Sequence, residues 1–262
     1  MHFKHSILTL FLLLSGCSAK PVEDASPYSL SKPDAVYELP KALKEISGIA
    51  LVNDSTLACV EDEHGVIYFY NLNQRKISHV LPFGPDGDYE DIAIKGDTIF
   101  VLRSDGLLYE ISQFNSKPTI LTLALFEKHK EAQDVEGLWY ISKTNELLLA
   151  SKSDGSVYSY SLGKQELSSE SIKIKTPFRF YPSAVAVHSI SSELYVLESK
   201  GNSLLILKPS GEVNKSIELH GHHFKQPEGI AFSRSGDLYI SNEGRDGKAN
   251  ILFFRMLVNI NK

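Results

Sequence analysis

The chain has 262 residues, 42% hydrophobic and 23% charged, a balance that excludes a disordered chain and allows one or two folded domains. Its formal net charge of −5 argues against nucleic acid as the main partner, because phosphate binding needs a basic face. Two cysteines are too few for a disulfide framework or a cysteine-rich zinc site, while 12 Tyr and 13 Phe beside two Met point to a strand-rich fold.

The N-terminus reads as a targeting segment. A short basic start (His2-Phe3-Lys4-His5) precedes an apolar run from Ile7 to Leu14. That run is too short to span a bilayer, which takes roughly 20 residues, but it fits the h-region of a secretory signal. It ends in Leu14-Ser15-Gly16-Cys17, which resembles the bacterial lipobox. The expectation is a signal peptide over 1–16 and lipidation (palmitate among the acyl chains) at Cys17. With Ser18 after the cysteine, the anchored protein is expected in the cell envelope, at the outer membrane of a Gram-negative cell. Residues 17–34, polar with Pro21, Pro27 and Pro33, read as a flexible tether. Cys59, in the apolar stretch Thr56–Val60, reads as a buried, inert thiol.

From residue 35 onward one motif recurs every 43 to 47 residues. It reads Glu45-Ile46-Ser47-Gly48-Ile49-Ala50, then Asp88-Tyr89-Glu90-Asp91-Ile92-Ala93, then Asp134-Val135-Glu136-Gly137-Leu138. It returns as Tyr181-Pro182-Ser183-Ala184-Val185-Ala186 and as Gln226-Pro227-Glu228-Gly229-Ile230-Ala231. After each anchor come a turn, a β-rich run (57–60, 98–102, 147–150, 194–197, 238–241), a second turn and an alternating apolar–aromatic run. A more polar strand closes most repeats, as at 76–81 and 170–175. Period-2 alternation with turn punctuation is the strand signature. Repeats of this length with four strands predict an all-β, five-bladed β-propeller over residues 35–258. The fifth repeat has three strands, so a strand at 35–39 is expected to complete it and remove an open edge. Six blades, the alternative, would need a sixth anchor that the sequence does not offer.

In such a fold the anchors begin the innermost strands and ring the channel mouth. The ring is Ser47, Glu90, Glu136, Ser183 and Glu228. Three converging carboxylates repel one another unless they take up protons or a cation neutralises them. Oxygen ligands of this kind suit Ca²⁺ better than Zn²⁺, so these five residues form the candidate metal site, with local structural hydrogen bonding as the competing role. The second strands end on the same face with Glu61, Arg103, Lys152, Glu198 and Asn242, followed by Asp62 and Glu243. Their mixed signs read either as a ring of ion pairs or as a polar ligand site, in which Arg103 and Lys152 could take a phosphate or carboxylate. The loop His220-Gly221-His222-His223 opens on this face too and reads as a solvated loop, with transition-metal binding the weaker reading. No nucleophile elbow, His-Glu-x-x-His, P-loop, dinucleotide fingerprint or EF-hand loop is present.

At these anchors, with Leu238-Tyr239-Ile240-Ser241-Asn242-Glu243, the sequence resembles the SdiA-regulated family of bacterial cell-envelope propellers over roughly 35–255. The resemblance implies an envelope-located propeller, a calcium link and no settled enzymatic activity. It also lies near calcium-dependent esterase-like and phytase-like propellers, which usually display more acidic ligands; Ser47 and Ser183 stand in place of acids here. The expected function is therefore a lipid-anchored envelope propeller that binds a divalent cation or a small ligand at its channel mouth. The rivals are a Ca²⁺-dependent phosphoester or lactone hydrolase, with the metal as Lewis acid, and a scaffold for envelope proteins.

Overall fold

The structure is a computed structural model and describes residues 26–126, 134–177, 179–208 and 210–257. The expected signal peptide and Cys17 lie outside the described residues. Strand β1 (Ala35–Glu38) leads, through a 3-10 turn at Lys41–Leu43, into the first repeat. Blade 1 holds β2 (Ile46–Asn53), β3 (Thr56–Glu61), β4 (Val66–Asn71) and β5 (Lys76–Pro82). Blade 2 holds β6 (Tyr89–Lys95), β7 (Thr98–Arg103), β8 (Leu107–Ser112) and β9 (Thr119–Ala124). Blade 3 is β10 (Val135–Ile141), β11 (Glu146–Ser151) and β12 (Ser156–Ser161), edged by β13 (Glu166–Leu167) and β14 (Ile172–Lys173). Blade 4 is β15 (Ala184–Val187), β16 (Leu194–Glu198), β17 (Ser203–Leu207) and β18 (Val213–Glu218). Blade 5 is β19 (Pro227–Phe232), β20 (Leu238–Asn242) and β21 (Asn250–Phe254).

All pairings within the blades are antiparallel. Strand β1 completes blade 5 by pairing with β21, in register from Ala35 opposite Phe253 to Glu38 opposite Asn250. The ring thus closes with strands from both ends of the repeat array, as the sequence predicts. The inner strands β2, β6, β10, β15 and β19 touch in that order, and β19 returns to β2.

The hydrophobic core is divided into five seams, each shared by two neighbouring blades. Ala50, Ile67 and Phe69 of blade 1 meet Tyr89, Ile92, Ile99 and Tyr109 of blade 2. Corresponding clusters join blades 2 and 3, 3 and 4, 4 and 5, and 5 and 1. A large apolar side chain taken fully out of water contributes about 1.5–3 kcal/mol, so each seam bonds its two sheets strongly. Two glycines let the inner strands come close. A Cβ on Gly48 would lie 2.5 Å from the Asp91 Cα in the next blade, and one on Gly229 would lie 2.6 Å from the Ser47 carbonyl oxygen.

Two expectations are corrected. The polar strand at 170–175 is instead two short pieces, β13 and β14, which pair with different ends of β12. Between them the Ser168 hydroxyl accepts the Glu170 N–H at 3.2 Å, a local turn that competes with the sheet ladder. The tether is also shorter than expected. Tyr28 and Leu30 are buried in the seam of blades 4 and 5, and Tyr28 donates its hydroxyl hydrogen to the Gly236 carbonyl at 2.5 Å. An aromatic and a leucine so close to the body have more to gain from burial than a polar linker has.

Candidate functional site

The inner strands begin on one face, called the upper face here, and the second strands end there. The register places Ile46 opposite Glu61, Tyr89 opposite Arg103, Val135 opposite Ser151 and Pro227 opposite Asn242. In four blades the ladder slips at the anchor, between Ile46 and Ile49, Tyr89 and Asp91, Val135 and Gly137, and Pro227 and Ile230. Each slip is a β-bulge, which adds a residue to one strand and re-aims its side chain. The bulges hold Ser47, Glu90, Glu136 and Glu228. The anchor repeat is therefore a repeat of bulges at the channel mouth.

Three carboxylates meet there. Burial is the largest influence on each, and the neighbouring charges add to it. Glu90 is pushed up to about 10, by burial first and then by Glu136 and Asp88, with Glu228 adding to the effect. Glu136 rises to about 7 through burial, although Lys152 pulls it down. The Lys152 Nζ stands 2.5 Å from the Glu136 Oε1. Burial works against the Lys152 charge, but the Glu136 carboxylate outweighs it and holds the ammonium's pKa above its usual value. Glu228 also rises to about 7 through burial, offset by two donors to its Oε1: the Gln226 Nε2 at 2.6 Å and the Ser199 hydroxyl at 3.0 Å. The mouth thus gathers three glutamates, with Lys152 paired to Glu136 and pulling on Glu90.

The two serines of the ring are buried. The Ser183 hydroxyl donates to the Pro227 carbonyl at 3.3 Å, joining blades 4 and 5. The Ser47 carbonyl accepts the Ser241 hydroxyl at 2.9 Å, joining blades 1 and 5.

The second column does not form one site. The buried Glu61 carboxylate accepts the His64 N–H at 2.8 Å and the Glu63 N–H at 3.2 Å, and meets the His64 Nδ1 at 2.8 Å. Arg103 is held bidentately by Asp105, Nε to Oδ1 at 2.9 Å and Nη2 to Oδ2 at 2.7 Å. Lys152 serves Glu136. Glu198 accepts the Tyr181 N–H and the Ser203 hydroxyl, both at 3.0 Å. The buried Asn242 donates to the Asn250 Oδ1 at 3.2 Å. Glu243 is pushed up by burial and by Glu45. Local pairing accounts for most of this column, and the joint anion clamp of Arg103 and Lys152 is not assembled: each base already holds its own carboxylate.

Sequence reasoning named Glu61, Asp62 and Glu243 in the second column but did not join them with Glu63 and His64 as a second acidic centre. Asp62 is pushed up to about 6 by burial and by Glu45, Glu61, Glu63 and Glu243, and its Oδ1 is buried without a hydrogen-bond partner. Beside it, Glu61, Glu63 and His64 are the only described residues whose three ligand atoms all lie within 4.8 Å of one another. The mouth glutamates stand further apart than that. The run Glu61-Asp62-Glu63-His64 was a signal in plain view, but without the fold nothing separates it from a solvated turn. Sequence reasoning also missed Gln226 and Ser199, which reach Glu228 from other loops. In the histidine loop, His220 pairs with Glu218 at 3.0 Å, both exposed, and the His222 and His223 rings lie 3.9 Å apart. Cys59 is wholly buried and free, and burial pushes its thiol far up, as befits an inert residue.

The family model described as SdiA-regulated matches residues 34–246, most of the chain, and the chain belongs to that family. No curated protein matches it. Among solved structures it is similar to the glutaminyl cyclase of Myxococcus xanthus, with a TM-score of 0.65 at 13% identity over 86% of this chain and 95% of that one. It is also similar to a streptogramin B lyase, with a TM-score of 0.54 at 12% identity over 84% and 97%. A luciferin-regenerating enzyme gives a TM-score of 0.55 at 11% identity over 87% and 96%. Likenesses at such identity establish the propeller fold alone.

Proposed function

We propose that this member of the SdiA-regulated family is an envelope protein that binds a cation at its channel mouth, with Ca²⁺ as the ion. One observation carries the reading: the anchor bulges bring Glu90, Glu136 and Glu228 to one channel mouth, where burial first and then the neighbouring carboxylates push the Glu90 carboxyl up to about 10. A bound cation would stabilise the ionised form of all three glutamates at once. Their hard oxygens favour Ca²⁺ over softer metals, and Ca²⁺ tolerates the irregular, flexible coordination that three separated glutamates would supply. The hydrolase alternative draws no comparable support, because the bases it would use on a phosphate are held by Asp105 and Glu136.

The position of the chain's start supports an anchored orientation. Strand β1 runs from the lower face, at Ala35, toward the upper face, at Glu38. The preceding residues cross the lower face, where Tyr28 meets Gly236 and the Pro27 carbonyl accepts the Leu257 N–H at 2.7 Å. A lipid on Cys17 would then lie within about 30 Å of that face, the reach of a short extended segment, and the glutamates would look away from the membrane. Among the described residues no helix is long and apolar enough to cross a membrane.

Calorimetric titration of the full chain in detergent with Ca²⁺ tests the proposal. Saturable binding is expected at pH 8, weakening as the pH falls through 7, where Glu136 and Glu228 take up protons. A Glu90→Gln/Glu228→Gln variant should lose it. A folded parent that takes up no Ca²⁺ at pH 8 would sink the cation reading.

A further inference from the structure

A second concave feature lies at the seam where the ring closes, between blades 5 and 1 and apart from the mouth. It is a groove of about 510 Å³, within the usual range for small-molecule sites. Five cations line it, Lys41, Lys44, Arg75, Lys76 and Lys248, against one acid, Glu38. Leu39, Ile77 and Ala249 give it apolar walls, and Leu39 and Ala249 are buried. In a chain with a formal net charge of −5, this concentration of positive charge is a local reversal.

The cations are largely uncompensated. Lys248 meets Glu38 at 2.8 Å and Lys44 meets Glu45 at 3.9 Å, and all four side chains are exposed, so these pairs bind weakly. Among the described residues no acid lies within ion-pair distance of Lys41, Arg75 or Lys76. Arg75 is nevertheless fixed in place: its Nη1 donates to the Val36 carbonyl at 3.2 Å, and its guanidinium lies 5.1 Å from the centre of the Tyr37 ring. A guanidinium held by a carbonyl and a ring keeps its full charge and free donors for an anion.

We propose that this seam groove binds a small organic anion, a phosphate or carboxylate group carried on an apolar body. The charge would sit among Arg75, Lys76 and Lys41, and the body against Leu39 and Ile77. Arg75 lies in the β4–β5 turn of blade 1 and Lys76 opens β5, whereas Lys248 belongs to the β20–β21 loop of blade 5. A ligand held by both bridges the closure and stabilises the folded ring through linkage.

Calorimetry and thermal melting of the full chain in detergent and low salt, with 1-naphthyl phosphate and with inorganic phosphate as probes, test this. Naphthyl phosphate should bind saturably, raise the melting temperature and bind more tightly than inorganic phosphate. A Lys41→Glu/Lys76→Glu variant, altered only at exposed side chains, should melt like the parent without ligand and bind naphthyl phosphate at least about tenfold more weakly. Glu90→Gln should leave this binding unchanged, which separates it from the channel mouth. Unchanged affinity in the lysine variant, or no saturable binding to the folded parent, overturns the proposal; inorganic phosphate binding as tightly as naphthyl phosphate overturns the apolar part of it.

Discussion

Glu90 and Asp91 are neighbours on one strand, yet they belong to different regions of the molecule. Asp91 points into the wall between blades 2 and 3. Its Oδ2 accepts the Leu138 N–H of blade 3 at 2.7 Å, and its Oδ1 accepts the Ile92 N–H of its own strand at 2.8 Å. Burial drives its pKa well up, against the pull of those two donors. Glu90 sits in the bulge beside it and faces the channel mouth, where the carboxylates of Glu136, Asp88 and Glu228 act on it against the pull of Lys152. One acid is enclosed and matched by donors, and its work is to hold two sheets together. The other is half-buried where Glu136, Asp88 and Glu228 outweigh Lys152, which is costly for the fold and useful only if more positive charge arrives.

Removing the wall acid should have the largest effect. Asp91→Ala leaves the Leu138 and Ile92 N–H groups without their acceptor in a buried site and opens a small void between the blades. A loss of about 3 kcal/mol is expected, read as a lower midpoint in urea at constant m-value. If the variant melts like the parent, the wall acid is not what joins blades 2 and 3.

The mouth acid should behave in the opposite way. The Glu90 pKa in the folded chain, about 10, lies above its ordinary value of 4.5. The folded state therefore holds a proton that the unfolded chain has released. Its contribution to stability is complete at acid pH and is lost as the pH rises through that interval. Glu90→Gln should thus stabilise the ion-free protein at pH 8 by about 1–2 kcal/mol, a gain of roughly 3–6 °C, and should flatten the decline of stability with pH. An unchanged melting temperature at pH 8 would place the Glu90 carboxylate in open water rather than at a frustrated site.

Much of this contrast was legible in the sequence, though unevenly. The anchor spacing revealed five blades, and the missing fourth strand of the last repeat implied closure by residues near 35, because a propeller cannot leave that edge open. The column Glu90, Glu136, Glu228 was legible because it repeats. Asp91 was not, because nothing in Glu-Asp-Ile-Ala tells which acid faces the axis; the bulge decides, and a bulge is a property of two paired strands. The serines at 168, 169 and 171 carried the turn preference that broke the outer strand of blade 3, but alternation outweighed it in the reading. Tyr28 looked like part of a polar linker, since the apolar seam that receives it is built mostly from residues between Ala184 and Phe254, far along the chain. The seam groove was illegible for the same reason: its cations come from three separate stretches of chain.

Lys152 offers the smallest effect and the finest test of the mouth. It pairs with Glu136 and pulls on Glu90, and Glu136 rises to about 7 in the folded chain. Burial raises that value and Lys152 restrains it, so removing the lysine should let it climb further. The folded chain would then hold the Glu136 proton to higher pH, and the stability that depends on that proton would be lost later in an alkaline titration. With Lys152→Ala the lost attraction is discounted by solvent, since the lysine side chain is 41% exposed, and the cost at pH 8 should be about 1 kcal/mol or less. At pH 5 Glu136 is protonated with or without the lysine, so the cost should nearly vanish. Melting curves of parent and variant at the two pH values read the difference. An equal loss at both would mean that Lys152 acts through the packing of its aliphatic stem, and the mouth would then be less strongly charged than its three glutamates imply.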